Sequence, residues 1–130
     1  MKELSVEETN QLLVDFGSAE NGIIPVVTQH YETREVLILS YVNKEAFEET
    51  IKSGYATYYS RSRKELWKKG ATSGDYLKVN EIRINCMQNS LLLLVTPIGK
   101  GVCHAKKDDG LPHSTCYYRK IEGNRLHFIE

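Results

Sequence analysis

Three cysteines are the residues of this sequence with the clearest capacity for chemistry. They are Cys86, Cys103 and Cys116, and His104 directly follows the second of them, where it could move protons. Three thiols cannot all pair within one chain. Three thiolates around a zinc ion leave one position open for water, as in catalytic zinc sites. Their spacings of 17 and 13 residues match no compact zinc-finger pattern, so spacing alone favours three unrelated cysteines.

A basic segment over residues 60–74 is the second candidate site. It contains five cations, four hydroxyl side chains, two glycines and Trp67, the single tryptophan of the chain. Arginines bind phosphate through paired hydrogen bonds, hydroxyls and glycine amides complete such a site, and a tryptophan can stack on a base. A solvated basic loop has the same composition. The residue types therefore leave a nucleotide phosphate site and a solvated loop equally open.

Length and composition set limits on the function. The chain has 130 residues, a formal net charge of +0 and 41% hydrophobic residues, which predicts one globular domain over 1–130. Zero net charge argues against a nucleic-acid partner, because general affinity for nucleic acid depends on excess Lys and Arg. Residues 1–10 lack the apolar core of a signal peptide, and the longest apolar run, Leu91–Val95, is too short to span a bilayer. We therefore expect a cytoplasmic protein with no membrane partner.

The first half of the chain is expected to supply two helices and three strands. A capping-box pattern followed by an apolar stripe predicts a helix over residues 5–15. The β-rich runs Ile23–Gln29 and Glu35–Val42 predict a hairpin, and the first run is most simply a core strand. An asparagine cap predicts a second helix over residues 43–53. Tyr55–Ser60 predicts a short strand.

The second half is expected to consist mostly of strands. Residues 61–75 are polar and favour a loop, whereas Leu77–Cys86 alternates, with a shift of phase near Asn80 that indicates a β-bulge. Leu91–Val95 is apolar at every position, which is typical of a strand buried on both faces, and a second subunit could cover one face. Residues 117–129 predict a final hairpin around a Glu-Gly-Asn turn. The predicted class is α+β, a mostly antiparallel β-sheet with two helices.

Several segments between about Phe16 and Arg119 resemble the phosphoribosyl-AMP cyclohydrolase family. The most specific part is the order Ser-Arg-Ser-Arg, Leu-Trp, Lys-Gly and Thr-Ser-Gly within residues 60–74. The resemblance rests on these segments: Gly22–Gln29, Val36–Ala46, Tyr58–Arg63, Leu66-Trp67, Lys69-Gly70, Thr72–Gly74, Cys86, Cys103-His104 and Cys116–Arg119.

The resemblance implies an intertwined homodimer with active sites at the subunit interface. It implies a zinc ion held by Cys86, Cys103 and Cys116, drawn from both subunits. In the family reaction a zinc-bound hydroxide opens the adenine ring of phosphoribosyl-AMP between N1 and C6, a step of histidine biosynthesis. His104 matches a histidine suited to acid–base catalysis. By the same resemblance the substrate-binding residues are Ser60, Arg61, Ser62, Arg63, Trp67, Lys69, Thr72, Ser73, Gly74 and Gln29.

The sequence departs from the family pattern at positions close to the metal and the substrate. The family has Asp-Cys-Asp-x-Asp around its first cysteine, where the carboxylates bind magnesium, but this chain has Asn85-Cys86-Met87-Gln88-Asn89. Methionine is a poor ligand for a hard cation and amide oxygens are weak substitutes, so magnesium is not expected here. In addition, His30 stands in place of an aspartate and Asp75 in place of an asparagine.

The segment between the last two cysteines, residues 105–115, is longer than is usual in the family. We expect it to be a solvated surface insertion. Asp108 or Asp109 could instead replace a lost carboxylate, and His113 could be a metal ligand, but neither is the favoured interpretation.

Three functions remain open on the sequence. The first is a zinc-dependent cyclohydrolase acting on phosphoribosyl-AMP, favoured because the residues that would generate hydroxide are all present. The second keeps the zinc hydrolase but changes the substrate to another phosphorylated purine-like compound. The third is a catalytically silent, nucleotide-binding zinc dimer, which the missing carboxylates favour.

Overall fold

A computed structural model describes residues 4–130 as an α+β protein with mainly antiparallel strands, in agreement with the predicted class. The strands and the single α-helix of this range are β1 (Ile24–His30), β2 (Val36–Val42), α1 (Lys44–Ser53), β3 (Thr57–Ser60), β4 (Glu65–Lys68), β5 (Leu77–Ile84), β6 (Leu91–Pro97), β7 (Arg119–Glu122) and β8 (Arg125–Phe128). One 3₁₀ turn, Glu20–Gly22, precedes β1. No helix within residues 4–130 is long and apolar enough to cross a bilayer.

A four-stranded sheet in the order β2-β1-β6-β5 forms the centre of the fold. The predicted hairpin of β1 and β2 is confirmed, and β6 lies parallel to β1 and antiparallel to β5. The prediction that Leu91–Val95 is a strand buried on both faces is also confirmed, since successive side chains point to opposite faces and four of these five residues are buried. The ladder of β5 shifts between Val79 and Glu81, which confirms the predicted bulge.

The helix α1 begins and ends where its sequence predicts. The side chain of Asn43 accepts a hydrogen bond from the backbone N–H of Ala46 (2.9 Å), and Gly54 closes the helix with a left-handed φ of 79°. The Thr50 hydroxyl joins the helix to β3, because it donates to the Thr57 carbonyl (3.1 Å) and accepts from the Thr57 N–H (3.0 Å). The helix therefore holds the start of β3 in place.

The predicted helix over residues 5–15 is wrong. Ser5 and Glu8 do form one turn, with the Ser5 hydroxyl donating to the Glu8 carboxylate (2.8 Å), but the chain then straightens. The apolar residues Leu12 and Leu13 are 60% and 53% exposed, so the apolar stripe has no surface to pack on. A short helix without tertiary packing is marginal in water. The segment instead follows the Gln88 loop, whose side chain accepts from the Leu13 N–H (2.6 Å).

The loop expected over residues 61–75 is partly wrong, because β4 lies within it and pairs with β3. A tight turn joins the two strands, with Lys64 at a left-handed φ of 54°. Tyr58 on β3 is fully buried, and its hydroxyl is hydrogen-bonded to that of Thr28 (2.7 Å). Trp67 on β4 packs against the Tyr58 ring at 5.5 Å between centroids. This buried tyrosine anchors the hairpin and so fixes the basic turn at its tip.

The final hairpin of β7 and β8 confirms the prediction for residues 117–129, and its residues are exposed. It is joined to the rest of the chain at both ends. The N–H of Ile129 donates to the Tyr118 carbonyl (2.9 Å), and the Glu130 side chain accepts from the N–H (2.7 Å) and hydroxyl (2.6 Å) of Ser114. Burial raises the pKa of Glu130, but the hydrogen bonds from Ser114 lower it, and the net shift is downward.

Candidate active site

Two of the three cysteines, Cys103 and Cys116, lie together in one cleft of about 730 Å³. Their side chains are close enough to interact: the pKa of the Cys116 thiol is raised by burial and by Cys103, with Arg119 opposing. Both are free thiols. The cleft is lined by Ile38, Trp67, Lys69, Gly70, Thr72, Ser73, Gly74, Asp75, Gly99, Lys100, Val102, Cys103, His104, Lys106, Gly110, Leu111, Pro112 and Cys116. The structure thus places a pair of soft sulfur donors in the lining of one cleft.

Backbone hydrogen bonds hold the two thiols in place. The N–H of Cys116 donates to the carbonyl of Leu37 on β2 (2.7 Å), and the hydroxyl of Thr115 donates to the carbonyl of Val36 (2.7 Å). The N–H of Cys103 donates to the His113 carbonyl (3.1 Å). Cys116 is therefore fixed to β2, the edge strand of the central sheet, and Cys103 is fixed to the segment that leads into Cys116.

Cys86 is not part of this pair. It lies in the turn after β5 and is exposed. In the part of the chain that the structure describes, no three His, Cys, Asp or Glu side chains are grouped closely enough to hold a metal ion. A single chain therefore supplies two of the three predicted zinc ligands to the cleft.

The basic turn between β3 and β4 borders a second cleft of about 800 Å³. The Ser60 hydroxyl accepts from the N–H of Arg63 (3.2 Å), which fixes the turn, and the Arg61 guanidinium lies over the Tyr41 ring at 3.8 Å. The lining residues are Ser40, Tyr41, Tyr59, Ser60, Arg61, Ser62, Arg63, Trp67 and His104. Trp67 and His104 also line the thiol cleft, so the two clefts are continuous.

The thiol cleft contains a buried lysine. Lys69 is only 6% exposed, and its ammonium group donates to the backbone carbonyl of Asp75 (3.4 Å). Burial lowers the pKa of Lys69, while the negative charges of Asp75 and Cys103 oppose the shift. A cation with few partners in a cleft suits the binding of an anionic ligand. The other residues predicted to bind substrate from this segment, Thr72–Gly74, line the same cleft.

A model of a known protein family matches the part of the chain that carries this site. The model of the phosphoribosyl-AMP cyclohydrolase family matches residues 38–118, a range that includes all three cysteines and the basic turn. The chain belongs to the phosphoribosyl-AMP cyclohydrolase family.

Individual relatives cover most of the chain. A phosphoribosyl-AMP cyclohydrolase of Methanosarcina acetivorans is 50% identical over 104 residues, which are 80% of this chain and 81% of the relative. One of Desulfatibacillum aliphaticivorans is 46% identical over 105 residues, 81% and 79% of the two chains. A protein of Aquifex aeolicus named "Histidine biosynthesis bifunctional protein HisIE" is 44% identical over 82% of this chain and 49% of its own length.

Gln29, a predicted substrate-binding residue, lies away from both clefts of this cyclohydrolase-family chain. It borders a separate depression of about 440 Å³ together with Asn85, and its amide donates to the Arg34 carbonyl (2.7 Å). His30, beside it, accepts through Nδ1 from the N–H groups of Glu32 and Thr33 (3.1 and 3.2 Å). Within one chain these residues stabilise the β1–β2 turn.

The turn that carries Cys86 is closed by two asparagines, at the positions where the resemblance implies aspartates. The amide of Asn85 donates to Asn89 Oδ1 (2.6 Å), and Asn85 Oδ1 accepts from the N–H groups of Asn89 and Ser90 (both 2.9 Å). The Asn85 oxygen is thus already engaged by two donors, and Met87 offers no hard ligand. These residues do not fit a magnesium ion.

The longer segment between the last two cysteines is a small hairpin that forms one wall of the thiol cleft. Lys106 pairs with Pro112, and Gly110 turns the chain with a φ of 83°. Asp108 and Asp109 are exposed at its tip and line neither cleft. Lys100 and Lys106 also line the cleft, and no motif in the sequence indicated that they would.

His113 is buried, and its contacts do not support the metal-ligand role considered for it. Its ring stacks on Tyr118 at 3.6 Å between centroids, and Nδ1 is hydrogen-bonded to Glu130 Oε1 (3.2 Å). It belongs to no metal-ligand group within residues 4–130. Its position instead links the insertion to the end of the chain.

We expect Gly101→Ala to destabilise the protein by about 1–3 kcal/mol, because the extra carbon overpacks a closed backbone contact. A Cβ at Gly101 meets the carbonyl oxygens of Pro112 (2.6 Å) and His113 (2.8 Å), neither of which can move without displacing the cleft wall. Urea unfolding measures the loss. Gly17→Ala is the matched control, since its Cβ meets nothing closer than 3.8 Å. Equal stability of the two variants contradicts the packing described here.

Proposed function

We propose that this protein is a zinc-dependent phosphoribosyl-AMP cyclohydrolase of histidine biosynthesis. It opens the adenine ring by hydrolysis: a C6–O bond forms, the N1–C6 bond breaks, and N1 takes a proton. The observation that carries the proposal is the continuity of the thiol pair, His104 and the basic turn along one groove. The names of the relatives support the reaction. We place the activity in the cytoplasm, where reducing conditions keep the thiols free.

The residues present fit a zinc ion. Cys103 and Cys116 offer two free thiols side by side, and soft sulfur donors favour zinc. We propose Cys86 of a second subunit as the third ligand, because the Cys86 of the same chain lines neither cleft. The working unit is then a homodimer. A zinc ion held by three cysteines would act as a Lewis acid and lower the pKa of a water molecule to about 7.

The residues of the groove have separate tasks in this reaction. His104 lines both clefts beside the thiols, where it can take a proton from the attacking water and return it to N1. Trp67 lines the same junction and offers an aromatic face to the purine ring. The Ser60–Arg63 turn offers hydroxyls and two guanidinium groups to a phosphate.

We propose that the enzyme works without magnesium at the Cys86 turn. The support is the hydrogen-bonding of Asn85 and Asn89, which closes this turn with amides alone. No step of the proposed reaction passes through magnesium.

The decisive experiment incubates purified full-length protein with phosphoribosyl-AMP and follows the ultraviolet absorbance change that ring opening causes. Zinc content is measured on the same sample. We expect turnover in magnesium-free buffer with zinc bound. Binding without turnover would favour a silent nucleotide-binding protein. Turnover of another phosphorylated purine alone would favour a different substrate, and zinc-free protein with full activity would refute the metal assignment.

We expect Arg63→Ala to raise KM for phosphoribosyl-AMP by about 10- to 100-fold, the loss of one charge-assisted hydrogen bond to phosphate. The backbone of Arg63 keeps its bond to Ser60, so the turn retains its shape. Steady-state kinetics gives KM and kcat. Arg125→Ala on the exposed strand β8 is the matched control and leaves both constants unchanged. A KM within twofold of wild type removes Arg63 from the phosphate site.

A further inference from the structure

Two lysines from outside the basic segment of residues 60–74 line the thiol cleft. They are Lys100, in the loop after β6, and Lys106, in the insertion hairpin. We propose that Lys100 and Lys106 form a second phosphate-binding subsite, which takes the phosphate that the Ser60–Arg63 turn leaves free. This inference rests on the proposed function and adds to it a role for the segment between the last two cysteines.

Lys100 is held at the cleft by Asp75. The backbone N–H of Lys100 donates to Asp75 Oδ1 (2.9 Å). Gly99 packs so closely against Asp75 that any side chain there would collide with it. The Asp75 carboxylate is thus engaged by the loop, and its backbone carbonyl also accepts from buried Lys69. The loop that carries Lys100 is consequently fixed before any ligand arrives, which reduces the entropy that binding has to overcome.

Lys106 is held by the structure of the insertion. It pairs with Pro112, and the turn beyond it is closed by hydrogen bonds from the Lys107 N–H to the Leu111 carbonyl (2.8 Å) and from the Gly110 N–H to the Lys107 carbonyl (2.9 Å). The base of the hairpin is joined to the cysteine loop, since the Val102 N–H donates to the His113 carbonyl (2.9 Å). Lys106 lines the cleft and its neighbour Lys107 does not.

The charge of the cleft favours a phosphate. Its lining contains three lysines, Lys69, Lys100 and Lys106, and a single carboxylate, that of Asp75. A ligand composed of AMP and a phosphoribosyl group carries one phosphate at each end, with the purine ring between them. The clefts share Trp67 and His104 at their junction, so a ring at the junction directs one phosphate toward each cationic wall. Lys100 and Lys106 supply positive charge at this wall of the cleft. A magnesium ion at the Asn85–Asn89 turn is then not needed to provide it.

The test measures KM for phosphoribosyl-AMP in magnesium-free buffer for Lys100→Gln, Lys106→Gln and the matched control Lys107→Gln. We expect each of the first two to raise KM about tenfold, with kcat within about twofold of wild type, because one charge-assisted contact is lost in each. Lys107→Gln leaves KM unchanged. The subsite is overturned when Lys106→Gln keeps the wild-type KM, or when Lys107→Gln shifts KM equally and the effect is one of general charge.

The double variant Lys106→Gln/Arg63→Gln distinguishes two phosphate sites from one. Contacts to different phosphates are independent, so the two increases in KM multiply. If the KM of the double variant is no higher than that of the more impaired single variant, both side chains contact one phosphate and a second subsite is refuted.

Equilibrium binding separates this inference from the proposed function. Trp67 is the only tryptophan of the chain and lines both clefts, so its fluorescence reports binding of phosphoribosyl-AMP without turnover. Protein that binds without turnover, and loses about tenfold in affinity in Lys106→Gln, retains the subsite while the proposed activity fails. Wild-type protein that neither binds nor turns over phosphoribosyl-AMP overturns both.

Discussion

Cys103→Ser is expected to remove the bound zinc and to lower cyclohydrolase activity by about three orders of magnitude or more, because the hydrolysis depends on an activated water. A serine hydroxyl stays protonated near neutral pH and is a poor ligand for zinc, which prefers thiolate. Without Cys103, the Cys116 thiol and the Cys86 thiol of the second subunit are the two remaining ligands, and two thiols do not hold the metal. Zinc per protomer, measured by atomic spectroscopy, and the ultraviolet ring-opening assay should fall together.

The substitution is designed to leave the fold intact. The bond that positions Cys103 comes from its backbone N–H to the His113 carbonyl, and serine keeps it. Serine has nearly the same shape as cysteine, so the buried position acquires no large cavity. Far-ultraviolet circular dichroism and the oligomeric state are the controls. A folded Cys103→Ser protein that retains zinc and activity would remove Cys103 from the metal site.

The parts of the fold that could be predicted from the sequence are those where local signals and burial agree. The cap at Asn43, the left-handed Gly54 and the buried face of α1 all favour the same helix. The phase shift in β5 near Asn80 is visible because alternation in a half-buried strand has a fixed period of two. In these segments the tertiary structure stabilises what the residues already prefer.

Local signals failed where tertiary contacts decide the outcome. The capping box at Ser5 forms its turn, but Leu12 and Leu13 find no apolar surface, and the Gln88 side chain binds the backbone that a helix would have used. Residues 65–68 were too polar to indicate a strand. They pair with β3 because the buried Tyr58 fixes that partner, and the strand itself remains largely exposed.

The residue types of the candidate site are visible in the sequence, whereas the way the fold brings them together is not. The spacing of Cys103 and Cys116 contains no sign that they meet, since their proximity depends on the Cys116 bond to Leu37, a residue 79 positions earlier in the chain. Lys100 and Lys106 carry no motif at all, and only the folded loops bring them to the cleft. Gln29 was assigned to the substrate only through the family resemblance, and a single chain leaves it at a different depression.

The separation of Cys86 from the thiol pair leads to the second large prediction, a test of sites shared between subunits. Cys86→Ser and Cys103→Ser proteins are each expected to be inactive. When the two chains are refolded together, one site of each mixed dimer combines intact Cys103 and Cys116 from one subunit with intact Cys86 from the other. Random association makes half of the dimers mixed, so about one quarter of the wild-type activity should return. The ring-opening assay measures the recovery.

The matched control exchanges the partner variant. Cys103 and Cys116 lie in the same cleft of one chain, so a mixture of Cys103→Ser and Cys116→Ser leaves every site without one thiol of that pair. This mixture is expected to stay inactive at every ratio. Different affinity tags on the two chains isolate the mixed dimers, whose activity should then approach half of the wild-type value. Tag-purified mixed dimers of Cys86→Ser and Cys103→Ser that remain inactive would show that the three cysteines do not meet across a subunit interface. Equal recovery in the control mixture would show that Cys103 and Cys116 belong to different sites, against the cleft that contains them both.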